Sequence, residues 1–205
     1  MRGEAAGAET VAALHRKIGL PPVLARSTRV LILGSFPGEA SLAARQYYAH
    51  PRNHFWPIVG ALLGEPLAEL PYRTRVARIR ARGVGLWDTI VACRRRGSLD
   101  GAIRDAERAE VSRVRRASPE LALVCFNGQT AGRAEPVWRA TGYRTLVLPS
   151  TSPAYTRPFA EKLAAWRAIA ACLPREAMSA TGRPEREFLP LGGTARSAKG
   201  AQQCA

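Results

Sequence analysis

Four short apolar runs constrain this chain more than anything else in it: "RVLILG" (29–34), "VGLWD" (84–88), "LALVCF" (121–126) and "RTLVLP" (144–149). None alternates apolar with polar residues, as a strand with one wet face must. Each is strand-length and gives way to Gly, Asp, Asn-Gly or Pro-Ser, the pattern of strands buried on both faces in a parallel sheet. Between them lie longer segments with helical spacing. Strands alternating with helices predict an α/β fold, a three-layer α/β/α sandwich around a central four-stranded, mostly parallel sheet.

The segment 53–63 carries Phe55, Ile58, Val59, Leu62 and Leu63 at helical intervals. Pro57 has no N–H for the carbonyl of Asn53, so this helix starts near Asn53 or kinks there. "RTRVARIRARG" (73–83) reads as a basic amphipathic helix, and 98–118 as helical with a break near Gly101. "NGQTAGRAEPVWRATG" reads as a loop and a helix. A final helix is expected over 158–173, with Thr156 as its cap, Pro158 in its first turn, and Phe159, Leu163, Trp166, Ala170 and Leu173 on one face. Residues 1–26 read as a lead-in with a short helix over 11–18. Residues 27–174 form the domain, and 175–205 read as a disordered tail in which "EFLPL" could dock locally.

In a parallel sheet of this kind, ligands bind outside the carboxyl ends of the strands. Those ends carry Gly34–Gly38, Trp87 and Asp88, Asn127 and Gly128, and the run from Pro149 to Pro153, all expected on one rim. The "GSFPG" loop offers two turn glycines and Pro37; alone it is only a turn. It matches neither a Walker loop nor a dinucleotide-binding loop. Ser35 and Phe36 on it, and Ser150 on the fourth loop, are the candidates to touch a ligand there.

"QYYAHPRNHFW" (46–56) is more specific. Aromatic residues are 7% of the chain, yet four of these eleven are Tyr, Phe or Trp, set among two histidines and an asparagine. Singly, Tyr47, Tyr48, Phe55 and Trp56 are more often core than site. Together they offer faces for a flat base and, in Asn53, an amide to aim at a reacting atom or a water. "LPSTSPAYTRPF" (148–159) adds three close hydroxyls and an arginine. It is either a plain strand-to-helix loop or a phosphate clamp of Ser, Thr, backbone N–H and Arg; Ser152, Tyr155 and Arg157 are the candidate DNA-binding residues on it.

Charge narrows the partner. Thirty-one basic residues against 16 acidic ones give a net charge of +15, which favours a polyanion such as nucleic acid. Only Lys17, Lys162 and Lys199 are lysines, a bias that a GC-rich genome would equally produce. Cys93, Cys125, Cys172 and Cys204 form no C-x-x-C pair, so neither a zinc nor an iron–sulfur site is expected; reduced, mostly buried thiols are. No run is long enough to span a bilayer, and the N-terminus lacks a signal-peptide core, which leads to an expected cytoplasmic, nucleoid-associated location.

The order strand, "GSFPG", "QYYAHPRNHFW", "GVGLWDTI", "PSTSPAYTR" resembles the uracil-DNA glycosylase superfamily, and within it most the hypoxanthine-DNA (deoxyinosine) glycosylases. The resemblance spans about residues 28–173. A related "HPxNxFW" occurs in the mismatch-specific branch. The resemblance implies a monofunctional DNA glycosylase, usually a monomer, without metal or cofactor. It flips a deaminated base out of DNA and hydrolyses its N-glycosidic bond to leave an abasic site. Asn53 falls on the asparagine to which this branch's catalysis is attributed. Asp88 stands where uracil-specific relatives read the base with asparagine, and Ser150 where they place a histidine. Ala154 and Tyr155 fall near the wedge that fills the hole left by the flipped nucleotide. Phe36 replaces the residue with which many relatives activate water. These departures favour hypoxanthine or xanthine over uracil. Two other readings stay open: a non-catalytic DNA- or RNA-binding module, and a hydrolase or transferase of free nucleosides.

Overall fold

A computed structural model describes residues 15–173. The expected tail, its "EFLPL", Cys204 and the first half of the 11–18 segment lie outside the described residues. The four apolar runs become β2 (Val30–Gly34), β3 (Val84–Asp88), β6 (Leu123–Asn127) and β7 (Arg144–Leu148). They pair in the order β3-β2-β6-β7, and every pairing is parallel.

Side chains alternate across this sheet with period two, as the pleat demands. Val30, Ile32, Val84, Leu86, Leu123 and Cys125 face one side. There they pack on α2 (Phe55–Leu63), Ile79 of α3 (Tyr72–Ala81) and Trp166 of α7 (Phe159–Trp166). Leu31, Leu33, Trp87, Val124 and Phe126 face the other side, against Val114 of α4 (Val111–Ala117), Ala131 of α5 (Gln129–Gly132) and Trp138 of α6 (Glu135–Ala140). The three-layer sandwich is thus two cores sharing one sheet. Each fully buried Leu, Ile or Val contributes about 1.5–3 kcal/mol.

Three expectations are corrected. Residues Arg16–Ile18 form a strand, β1, rather than the end of a helix. The stretch 98–118 is not one broken helix. It holds a 3-10 turn (Asp100–Ala102), a strand β5 (Arg104–Arg108) and only then α4. With β4 (Ile90–Arg94), these make a second, antiparallel sheet in the order β1-β4-β5. Every residue of β5 is exposed, so its sequence has no apolar face to reveal it, and pairing with β4 decides its conformation. Finally, α7 ends at Trp166 and continues as a 3-10 turn over Arg167–Cys172. Its cap position is Pro158, with no side-chain cap, so Thr156 does not cap it.

The second sheet grows directly from the first. Only Thr89 separates β3 from β4, and its N–H donates to Gly34 O at 2.8 Å. Residues before β2 join both sheets: Gly19 N–H donates to Val91 O, and Val23 pairs with Leu86. A last helix, α1 (Glu39–Ala44), follows the first loop. Cys93 and Cys125 are buried free thiols, and Cys172 is a half-buried one. Among the described residues no helix is long and apolar enough to cross a membrane.

Candidate active site

The carboxyl ends of the four parallel strands enclose a cavity of about 220 Å³. That is below the roughly 300–1,000 Å³ of sites for drug-sized ligands, and suits one base. Ser35, Phe36, Tyr48, Asn53, Asp88, Ser150 and Ser152 all line it. Tyr155 and Arg157 do not; they stand on the loop beside it.

The aromatic stretch 46–56 divides in two. Tyr47, Phe55 and Trp56 are core. The Trp56 indole donates to Tyr47 O at 3.1 Å, and the Tyr47 hydroxyl lies 3.2 Å from both Leu20 O and Pro21 O. Tyr48, His50 and Asn53 turn to the cavity. Tyr48 does so from a left-handed backbone, φ +54°, a conformation that costs a bulky residue free energy and is held by the packing around it. Its ring stacks on Phe55, centroids 3.8 Å apart and planes 17° from parallel, so one face is already occupied. Its hydroxyl is buried with the Asn127 side chain as its polar neighbour, and burial, then the charge of Asp88, push its pKa well up.

Asn53 is set by the start of α2. Its Oδ1 accepts the Phe55 N–H at 2.9 Å, satisfying one of the helix's orphan donors. With the oxygen used, the amide NH2 is what remains to serve the cavity. The next residue is pinned as well, because His54 N–H donates to Thr151 O at 3.0 Å. Thr151 is fully buried and exchanges two 2.9 Å hydrogen bonds with the Asn127 side chain. One threonine therefore joins the third strand end, the fourth loop and the asparagine loop. Ser150 Oγ accepts from Ser152 N–H at 3.2 Å, leaving its own proton to donate. Gly128, at φ +96°, lets this loop pass: a Cβ there would lie 2.9 Å from that of Ser150.

Asp88 is the dominant electrostatic feature. It is 4% exposed, and its Oδ2 has no hydrogen-bond partner among the described residues. Burial first, and then the charge of Asp100, raise its pKa to about 8, against an opposing pull from Arg95. At neutral pH it is mostly a neutral acid, able to donate as well as accept. Gly34 has to be glycine for this, since a Cβ there would collide with Asp88 Oδ1.

One wall of the cavity is unforeseen. Residues Ser98, Leu99 and Asp100, read from the sequence as helical, line the cavity as a loop and turn. Ser35 donates to Asp100 Oδ1 at 2.8 Å, and Glu39 N–H donates to Ser98 Oγ at 3.0 Å. Leu99 is 69% exposed at the rim. The signal was in "RGSLDG": four turn-forming residues of six.

The loop beside the cavity is braced from below. Lys162 of α7, 1% exposed, donates its ammonium to Tyr155 O at 2.6 Å and lies 5.2 Å from the Tyr155 ring centroid. Arg157 sits 5.9 Å from the same centroid and pairs with Glu161 at 3.4 Å. Desolvation, then the Lys162 charge, lower the pKa of His54, keeping it neutral. Among the described residues no group of three or more His, Cys, Asp or Glu is placed to hold a metal ion.

Comparison with known proteins gives this geometry a family. Two hypoxanthine DNA glycosylases are similar to the chain. The Methanosarcina barkeri protein is 40% identical over 151 residues, 74% of this chain and 96% of that protein. The Methanosarcina acetivorans protein is 41% identical over 153 residues, 75% and 97% of the two. The solution NMR structure of a candidate uracil DNA glycosylase from M. acetivorans superposes with a TM-score of 0.70 at 40% identity, covering 76% of this chain and 97% of that one. Residues 21–171, nearly everything the structure describes, match the family model of the uracil DNA glycosylase superfamily, and it is to that superfamily that the chain belongs.

Proposed function

We propose that this DNA repair glycosylase takes a deaminated purine, hypoxanthine first and xanthine next, into the cavity and cuts its N-glycosidic bond. The observation that carries the reading is the convergence of three underused polar groups on one base-sized cavity: the Asn53 amide NH2, the neutral Asp88 carboxyl and the Tyr48 hydroxyl. The relatives named as hypoxanthine DNA glycosylases support it.

Hypoxanthine presents N1–H and O6 side by side. A neutral carboxyl meets both, its carbonyl accepting from N1–H and its O–H donating to O6. When the N9–C1′ bond breaks, both electrons go to the base, and water adds to C1′ to leave an abasic sugar. Donors aimed at the base stabilise the charge it gains; losing one such donor typically slows a reaction by about 10²–10³. Asn53 is the catalytic donor. Asp88 reads the base edge, Ser35, Ser150 and Phe36 line its seat, and Tyr48 closes the inner end. Ser152, Tyr155 and Arg157 take the DNA backbone and the gap left by the flipped nucleotide. The Arg157–Glu161 pair is exposed and therefore weak, so a phosphate can replace the glutamate.

The test is a set of duplexes each carrying one hypoxanthine, xanthine or uracil, treated with protein and then alkali. Strand scission at hypoxanthine, faster than at uracil, is the expected result. Binding without scission at any of the three would overturn the catalytic reading.

A further inference from the structure

The run Arg94-Arg95-Arg96 looks like a stripe for DNA, yet the structure turns its middle member inward. Arg95 is 1% exposed. Its Nη2 donates to Pro37 O, and its guanidinium carbon lies 4.9 Å from the Phe36 ring centroid. Nε and Nη1 are buried without partners, and no carboxylate among the described residues lies within ion-pair distance of it. A buried cation with one protein hydrogen bond and no counter-ion in contact weakens a fold. What it touches is the back of the 34–38 loop, whose front is the cavity wall. Among the described residues, no arginine or lysine lines the cavity itself.

We propose that Arg95 is a positioning residue for base excision: its guanidinium holds Phe36 and Pro37 against the flipped base from behind, and its charge acts on Asp88 through space. The inference rests on the reading of Asp88 as the group that meets the base. The charged and titratable groups that act on Asp88 or are acted on by it are Asp100, Arg95, Tyr47 and Tyr48. Asp100 favours the protonated acid and Arg95 the carboxylate; the two phenols are neutral, since Asp88 and burial both oppose their ionisation. With Arg95 gone, Asp88 keeps its proton to higher pH. The cavity also loses its nearby positive charge, which attracts the electrons moving onto the departing base where Ser150 offers no cation.

The experiment compares the parent with Arg95→Met and Arg95→Lys in single-turnover excision from a hypoxanthine duplex across pH, alongside thermal melting and NMR titration of the Asp88 carboxyl carbon. Arg95→Met is expected to melt no lower than the parent, as apolar replacements of buried ions often do. It should bind the duplex as before and excise about 10-fold or more slowly. The alkaline limb of its rate profile and the Asp88 titration should both move up by about half a pH unit or more. Arg95→Lys keeps the charge without the planar fork, so it should restore the titration but not the full rate. An unmoved Asp88 titration in Arg95→Met, or an unchanged rate, overturns the proposal. If Arg95→Met does not fold, Arg95→Lys decides: a parental titration with a reduced rate supports the proposal, and a parental rate overturns it. The titration needs no turnover, so a parent that cut no duplex would sink the hypoxanthine reading while the Arg95–Asp88 coupling was still measured.

Discussion

The two walls of the cavity are held in different ways. One is made by the ends of β2, β6 and β7 and by the asparagine loop, and its polar groups are mostly spent on each other: Thr151 with Asn127, Ser150 with Ser152, Asn53 with the Phe55 N–H. The other, between β3 and the turn after β4, gathers Asp88, Asp100 and Arg95 with several of their polar atoms unpaired. The first wall is rigid because its hydrogen bonds are closed. The second stores electrostatic free energy, because buried charge without partners is unfavourable until a ligand supplies them. The first wall supplies position and holds out the Asn53 NH2 that its own bonds leave over; the second supplies the unpaired groups around Asp88.

Asn53 tests the first wall and carries the largest expected effect. Asn53→Asp keeps an oxygen for the Phe55 N–H but loses the NH2, so excision should fall about 10²–10³ with little change in melting. Asn53→Ala loses both, and should add about 1 kcal/mol of destabilisation. If the aspartate variant kept parental turnover, the amide would be structural only and the contrast between the walls would fail. Gly34→Ala presses the walls together. Its Cβ meets Asp88 Oδ1, and either the loop or the carboxyl must move, at about 1–3 kcal/mol. Chemical denaturation and duplex excision should show activity lost well beyond that fall in stability.

Asp88 tests the second wall. Excision that needs the neutral acid is present below about pH 8 and declines above it. Stability runs the same way. The folded protein holds the Asp88 proton to about pH 8, the unfolded chain only to the ordinary carboxyl value of 3.8, so stability falls as pH rises across that window. Asp88→Asn should melt higher than the parent above pH 4 or so, by a margin that grows towards pH 8, and should flatten the alkaline limb of excision. Melting curves that stay parallel from pH 4 to 8 would show Asp88 ionised throughout. The smallest effect belongs to Asp100→Asn. Removing the like charge lowers the Asp88 pKa, and the alkaline limb should move to lower pH by a fraction of a unit.

The same contrast explains what could be read from the sequence. The parallel sheet was legible because its strands are buried on both faces, and β2 shows it in five consecutive buried residues. The rim followed from it, and with it the meeting of Ser35, Asn53, Asp88 and Ser150. β5 was illegible for the opposite reason: "RDAER" has no buried face, so only its partner strand makes it a strand. Missing β5 hid the turn before it, and hence Asp100 and Leu99. Arg95 was masked by its neighbours, since sequence gives no sign which of three adjacent arginines turns inward. The aromatic stretch held both answers at once, with Phe55 and Trp56 as core and Tyr48 and Asn53 as site.

Lys162 has one consequence that reaches beyond its own hydrogen bond. Tyr155, 39% exposed, is the side chain proposed to meet the duplex, and its carbonyl is held by an ammonium on α7. One turn further along α7, Trp166 meets Phe55 edge-on at 5.9 Å, and Phe55 lies flat against Tyr48. The tip proposed to enter the duplex is thus bolted to the same beam that backs the cavity. Pressure on Tyr155 must either break a charged bond shielded from water or tilt a helix resting on the ring behind Tyr48.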